Sequence, residues 1–346
     1  MKLDHVSNTL RPDGPAMAAL RVELEEMMKQ SLAYLVAEAA PLPDAIAGAC
    51  TVQLGRLHSA SVDPVLFGLT AALRDAALAD DLDELDRLRA VFATWDLAPS
   101  HPPQAGINPY VTVLGEENYD SARIALLTGL YADDVGLTTR LIAPPADAVS
   151  TERPLIRRAS DIIAEAAPHW FDEFNQLVSE VVLAVNDQSV EGRNFAGGST
   201  FDLFGTILVN PTYRSGVAHY LMTLIHESSH QRLFCHHLDD EVVLNAPEER
   251  FTSPLRRQLR PMEGVFHAMW VSARMAAFGT ELLACPTIHF LLDAEERSAL
   301  EGEVQSARLA FSDAHDVVKT HGMLTPLGQR LVDDAAEALG EVLGGR

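Results

Sequence analysis

The segment that most restricts the fold runs from Leu221 to Phe234, where an HExxH motif lies inside an apolar stretch with helical spacing. Residues four apart lie on one face of a helix, so His226 and His230 can offer two imidazoles to a single metal ion. Glu227 follows at about 100° round the helix, where its carboxylate can reach a metal-bound water. Two histidines and a glutamate are costly in a buried helix unless they ligate or hydrogen-bond. The segment predicts a metal-binding helix; the alternative is a set of hydrogen-bonded core histidines, because chance matches to so short a motif are common.

Composition excludes several classes of partner. The 346 residues are 47% hydrophobic and carry a net charge of −23, as expected of a globular protein with an acidic surface. Such a charge repels nucleic acid and anionic membranes, and we find no basic patch that would offset it. The three cysteines, Cys50, Cys235 and Cys285, are odd in number and lack CxxC spacing, which favours reduced thiols. With no apolar leader segment and no long apolar run, we expect a cytoplasmic protein that binds neither nucleic acid nor membrane.

Helical periodicity dominates the chain. It predicts helices at Met17 to Glu38, Pro64 to Ala79, Leu82 to Trp95, Tyr119 to Tyr131 and Ala159 to Val185, the last interrupted near Pro168. Short strands are predicted at Tyr110 to Leu114 and, as a pair, between Gly192 and Pro211. We therefore expect a mainly α protein with a small β-hairpin or sheet next to the metal-binding helix. A soft boundary near residue 150 separates a helical region, 1–150, from a metal-binding region, 151–346, unless the two form one compact unit.

Two histidines rarely hold a catalytic metal alone, so a third ligand is needed. His236 stands where the metzincin pattern HExxHxxGxxH has its last histidine, but that pattern needs a glycine where this chain has Leu233. Without the turn the helix continues, and it carries His236 roughly 80° away from His226 and about 9 Å along the axis beyond His230. His236 is therefore a poor candidate. His236 and His237 are together better suited to capping the C-terminus of a helix. Ser215 is the predicted N-cap of the HExxH helix.

Better candidates lie on a second helix that Pro261 is well placed to begin. Rotations of 100° per residue put Glu263, His267 and Arg274 within about 40° of one another on one face of it. Glu263 would complete a His, His, Glu set and His267 a set of three histidines, and spacing alone leaves both open. The alternative is that Glu263 and Arg274 form a structural pair that braces the core.

The combination of these motifs resembles a known family. The HEXXH-motif peptide-modification proteins, also described as 2-oxoglutarate-dependent HExxH-type peptide β-hydroxylases, share the motif at 226–230, the upstream segment 205–211, and the block that runs from Ser253 through Arg260 to His267. The likeness covers roughly residues 190–280. It favours His267 as the third ligand, because the histidine of that block recurs in the family while the residue at the Glu263 position varies.

The resemblance implies a non-haem Fe(II) enzyme that uses 2-oxoglutarate and O₂ to hydroxylate a side-chain β-carbon of a ribosomally made precursor peptide. Such an iron needs open positions for its co-substrates. A planar cation suits the far carboxylate of 2-oxoglutarate, and Arg274, Arg260 and Arg256 are the candidates. Glu227 would orient water or a ligand, or would ligate the metal.

Two other functions remain. In a zinc peptidase, Glu227 would act as general base to a zinc-bound water, and the strands at 197–210 would hold the substrate by β-addition. Against it stand the missing glycine and the lack of an evident transition-state donor near the motif. The second is a peptide-binding or scaffold protein with a structural or vestigial metal.

Overall fold

Helices make up most of the protein, as the sequence periodicity predicts. The computed structural model describes residues 9–58, 62–97, 110–115, 117–131, 140–187, 195–238, 240–253 and 256–344. In the first part of the chain the helices are α1 (Gly14–Ala37), α2 (Asp44–Leu57), α3 (Pro64–Leu78), α4 (Leu82–Ala93) and α5 (Ser121–Gly129). They are followed by α6 (Ala146–Ala166), α7 (Pro168–Leu177), α8 (Val217–His236), α9 (Met262–Ala284), α10 (Ile288–Leu291), α11 (Ala294–His321) and α12 (Pro326–Gly344). Within the described residues, no helix is long and apolar enough to cross a membrane.

A small mixed sheet lies beside α8. The strands are β1 (Tyr110–Val113), β2 (Leu141–Ile142), β3 (Glu180–Leu183), β4 (Val185–Asn186), β5 (Gly197–Gly198), β6 (Thr206–Val209), β7 (Phe251–Ser253) and β8 (Arg256–Arg260). Four of them form one sheet in the order β1, β3, β6, β5. In it β3 pairs in parallel with β1 and β6, and β5 pairs antiparallel with β6. Strands β3 and β6 are buried along their whole length, which places the sheet within the core.

Most predicted elements are confirmed, but several details differ. Helices α2, α10, α11 and α12 were not predicted. The end of the helix predicted for Ala159 to Val185 is instead β3, where two adjacent valines and burial on both faces favour a strand. Ser215 is not the N-cap of α8, because Gly216 is. The Ser215 hydroxyl donates to Glu152, and Gly216 has φ 125°, a conformation that glycine adopts without strain.

One hydrophobic core serves both predicted regions. Residue 150 lies inside α6, and β1 pairs with β3 across the proposed boundary. The buried core cluster extends from Leu10 to Leu339. These contacts favour one compact unit over a division near residue 150.

A buried ion network ties the helices around α8 together. Glu173 on α7 is 2% exposed and accepts hydrogen bonds from Arg232 on α8 and Arg274 on α9, both of which are almost fully buried. One further donor of each guanidinium holds the segment that precedes α1. Arg232 donates to the Thr9 carbonyl at 2.6 Å, and Arg274 donates to the Leu10 carbonyl at 2.6 Å. One carboxylate therefore joins three helices and the segment that precedes α1.

We expect Glu173→Gln to destabilise the protein by about 3–5 kcal/mol, because it leaves two buried guanidinium groups without their counter-charge. Urea unfolding at neutral pH measures the change. Glu84→Gln, which removes a surface ion pair with Arg87, is the control and should cost less than about 1 kcal/mol. Equal, small losses in both variants would contradict the assigned importance of Glu173.

Candidate metal centre

Helix α8 carries the HExxH motif through the interior. It packs against α9, α6 and α11 and against strands β5 and β6. The helix continues without a turn at Leu233 as far as His236, as the absence of a glycine predicts. Buried apolar residues surround the motif on the preceding turns, among them Leu221 and Ile225. The motif therefore lies on a rigid helix supported on several sides.

The two motif histidines face each other. The Nε2 atoms of His226 and His230 are 3.2 Å apart, and the two rings are inclined at 67°. Burial lowers the pKa of His230 well below its usual range, and the charges of His226, His267 and Arg260 lower it further. The ring is therefore neutral near pH 7, which is the form that ligates a metal. On the other edge of the His226 ring, the Nδ1 atom lies 3.3 Å from the sulfur of Met275.

Glu227 is buried between α8 and the edge strand β5. Ser199 donates a hydrogen bond of 2.9 Å to its Oε2 atom. Burial raises the pKa of Glu227 to about 8, against the opposing effect of the Ser199 hydrogen bond. A Cβ atom on Gly197 would lie 2.5 Å from Oε1, so the strand approaches the carboxylate as closely as a residue without a side chain allows. A ligand atom of Glu227 lies within 4.8 Å of ring nitrogens of both motif histidines.

The predicted set of three histidines is only partly assembled. His230 directs Nε2 at His226 and Nδ1 at His267, whose Nδ1 atom is 3.3 Å away. His267 is thus adjacent to the motif but lies on the opposite edge of the His230 ring. Within the described residues, two groups bring three ligand atoms within 4.8 Å of one another: His226, Glu227 and His230, and His237, Glu263 and His267. The role of His267 as third ligand stays a prediction, and so does that of Glu263, which belongs to the second group.

The three candidate arginines have different surroundings. Arg274 is 1% exposed and donates to Glu173, Ser229 and Leu10, so it belongs to the ion network rather than to the metal centre. This argues against its predicted role in binding a co-substrate. The alternative, a structural pair of Arg274 with Glu263, is also not observed, because the partner of Arg274 is Glu173. Arg260 lies close enough to His230 to lower the pKa of that ring. The backbone of Arg256 is in β8, but its side chain is outside the described residues.

His236 does not approach the motif. It is 2% exposed, and its ring packs edge-on against Trp270 at a centroid distance of 5.8 Å. This agrees with the rejection of the metzincin-like ligand set, since a continuous helix carries His236 away from His226.

Sequence reasoning missed Tyr131, which lies beside Glu227. Its ring is 3.6 Å from the position a Cβ on Gly198 would occupy, and its hydroxyl is buried without a hydrogen-bond partner among the described residues. Burial raises its pKa, and the charges of Glu227 and Glu180 raise it further. No local pattern marked this tyrosine, because only the tertiary fold brings the end of the α5 region to β5.

Comparisons with protein families and with curated proteins find no match. No protein-family model matches the chain. No curated protein matches it either. The family resemblance therefore rests on the motifs themselves.

A further buried carboxyl group, Glu180 on β3, predicts a pH-dependent stability. Burial raises its pKa from 4.5 to about 7, and the charge of Asp63 adds to the shift against hydrogen bonds from Thr206 and Tyr119. The folded protein keeps a proton that the unfolded chain releases. Stability from this group is complete below about pH 4.5 and is lost as the pH rises through about 7.

Glu180→Gln has no proton to lose, and the Thr206 and Tyr119 hydroxyls can still donate to or accept from an amide. We expect the melting temperature of the variant, relative to wild type, to increase between about pH 5 and about pH 8 and then to level off. Thermal unfolding across this range measures it, with Glu301→Gln on the exposed face of α11 as control. A difference that does not change with pH would refute the assignment.

Proposed function

We propose that the protein is a non-haem Fe(II) oxygenase that uses 2-oxoglutarate to hydroxylate a side-chain β-carbon of a precursor peptide. The observation that carries the proposal is the pairing of His226 and His230, with Nε2 atoms 3.2 Å apart, beside a carboxylate and an arginine. Two imidazoles and one carboxylate are the donor set typical of non-haem Fe(II) oxygenases, which leave further positions open for co-substrates. The motif residues therefore fit iron.

His226 and His230 would hold the metal, and either Glu227 or His267 would complete the set. A bound iron would supply, together with 2-oxoglutarate and O₂, the oxidation of the substrate carbon. Ser199 holds the Glu227 carboxylate in place through its 2.9 Å hydrogen bond.

Arg260 is the residue we assign to 2-oxoglutarate. It is the last residue of β8 and lies two residues before α9, and it is close enough to the His230 ring to lower its pKa. A guanidinium binds a carboxylate through two parallel hydrogen bonds and stays charged at all relevant pH values. The arginine would hold the far carboxylate and so orient the near end toward the metal.

Two features favour a peptide as substrate. Strand β5 lies at the edge of the four-stranded sheet, next to Glu227, and an edge strand can pair with an extended peptide. A cavity of about 590 Å³ also leads to the C-terminal end of α8, with Met27, Tyr34, Phe67 and His237 among its lining residues. Such a groove suits apolar side chains, and the net charge of −23 attracts basic ones.

A cytoplasmic location remains part of the proposal. Cys50 and Cys235 are buried free thiols, and Cys285 is also unpaired. Free thiols are expected in a reducing compartment.

The proposal predicts that the Fe(II)-loaded protein, titrated with 2-oxoglutarate without oxygen, develops a saturable metal-to-ligand charge-transfer band. Arg260→Gln should weaken 2-oxoglutarate binding by about tenfold or more, because it removes a charged hydrogen-bond donor. Arg250→Gln, on the exposed loop before β7, is the matched control and should bind as wild type does.

The Zn(II)-loaded protein should give no band. If the protein retains iron but develops no charge-transfer band with 2-oxoglutarate, the oxygenase proposal is refuted. A band that is equally strong in Arg260→Gln would refute only the role of this arginine.

A zinc peptidase is the second candidate, and Tyr131 favours it. A buried, protonated phenol beside the carboxylate of an HExxH glutamate is placed to donate a hydrogen bond to a developing oxyanion. The sequence had given no such donor. Glu227 would then act as general base.

This candidate predicts that the Zn(II)-loaded protein cleaves a generic peptide library. Tyr131→Phe should lower kcat by about 10²-fold or more with little change in KM, because the donor acts only in the transition state. Tyr213→Phe, an exposed tyrosine before α8 that does not line the cavity at the C-terminal end of that helix, is the control. Absence of cleavage by the zinc form would exclude the peptidase.

A further inference from the structure

We propose that His237, Glu263 and His267 form a second metal site, here called the rim site, which is distinct from the centre at His226 and His230. It would take a divalent transition metal such as Zn(II) or Fe(II). This inference concerns metal binding alone and does not depend on the proposed reaction.

The rim site combines two helices. His237 is the C-cap residue of α8, while Glu263 and His267 lie one turn apart at the start of α9. The rings of His237 and His267 have centroids 5.9 Å apart, and a Glu263 oxygen is 3.8 Å from the Nε2 atom of His267. One ligand atom from each of the three lies within 4.8 Å of the other two.

Glu263 and His267 alone would be an ordinary pair on a helix surface, since residues four apart face each other. His237 changes this interpretation. Its Nε2 atom is buried and has no hydrogen-bond partner among the described residues. An unsatisfied buried nitrogen is costly, and a metal bond would satisfy it. Glu263 is close enough to raise the pKa of His237 by its charge, although burial has the larger, opposite effect.

The donor set defines the class of ion. Two imidazoles and one carboxylate suit zinc, iron and nickel, whereas calcium and magnesium prefer oxygen ligands throughout. The Glu263 side chain is 62% exposed, so the site opens to solvent and can exchange its metal. This exposure also separates it from the Glu227 centre, whose carboxylate is buried.

The two sites are coupled through one contact. The Nδ1 atoms of His230 and His267 are 3.3 Å apart and can share a single proton. Two divalent ions that are bound to rings in direct contact repel each other. The second metal should therefore bind more weakly than the first.

The test is equilibrium dialysis of metal-free protein against Zn(II), with bound metal counted by mass spectrometry. Wild type should bind two equivalents, the second with lower affinity. His237→Ala, Glu263→Gln and His267→Ala should each bind one, as should His226→Ala. The double variant His226→Ala with His237→Ala should bind none.

Controls are His289→Ala and Glu301→Gln, which remove an exposed histidine and an exposed glutamate elsewhere and should bind as wild type does. Circular dichroism establishes that each variant is folded. The Co(II) form gives an independent reading, because its visible absorption should build in two steps in wild type and in one step in Glu263→Gln.

Two results would overturn the proposal. One is a single equivalent in wild type that is lost in His226→Ala and His267→Ala but kept in His237→Ala, which would make His267 the third ligand of one centre. The other is two equivalents that neither His237→Ala nor Glu263→Gln reduces. In both cases the 2-oxoglutarate band still tests the oxygenase separately.

Discussion

The structure depends on the burial of Glu173 between two arginines. An isolated charge is expensive in the interior, and each buried arginine is tolerable here only because Glu173 supplies its counter-charge. The network fixes α7, α8 and α9 relative to one another, and α8 and α9 are the helices that carry every histidine of the candidate centre. Their mutual position decides which ring nitrogens meet. The geometry of the candidate metal centre on α8 and α9 thus depends on an ion network that is not part of the centre.

The sequence predicted what local periodicity controls. The spacing of His226 and His230 placed them on one face of a helix, and the missing glycine at Leu233 allowed that helix to continue. The 100° rotation per residue likewise brought Glu263 and His267 together on α9. These statements hold because they depend on one helix at a time.

What the sequence missed depends on contacts between elements. Arg274 shares a face with His267, yet it donates to a carboxylate from α7, which no spacing on α9 reveals. His237 was interpreted as part of a helix end, and only the approach of α9 gives its ring two possible co-ligands. Which edge of the His230 ring faces His267 depends on a single side-chain torsion angle of His230. Helical periodicity also failed at β3, where burial on both faces removes the alternation that marks a strand.

The close approach of Gly197 to Glu227 has a mechanical consequence. Since the strand backbone and the carboxylate leave no room for even a methyl group between them, neither can move toward the other. Ser199, two residues further along, holds the same carboxylate by a hydrogen bond and so resists movement in the opposite direction. The edge strand β5 and the Glu227 carboxylate are therefore expected to move together. A chain that paired with this edge and shifted it would also shift the Glu227 carboxylate.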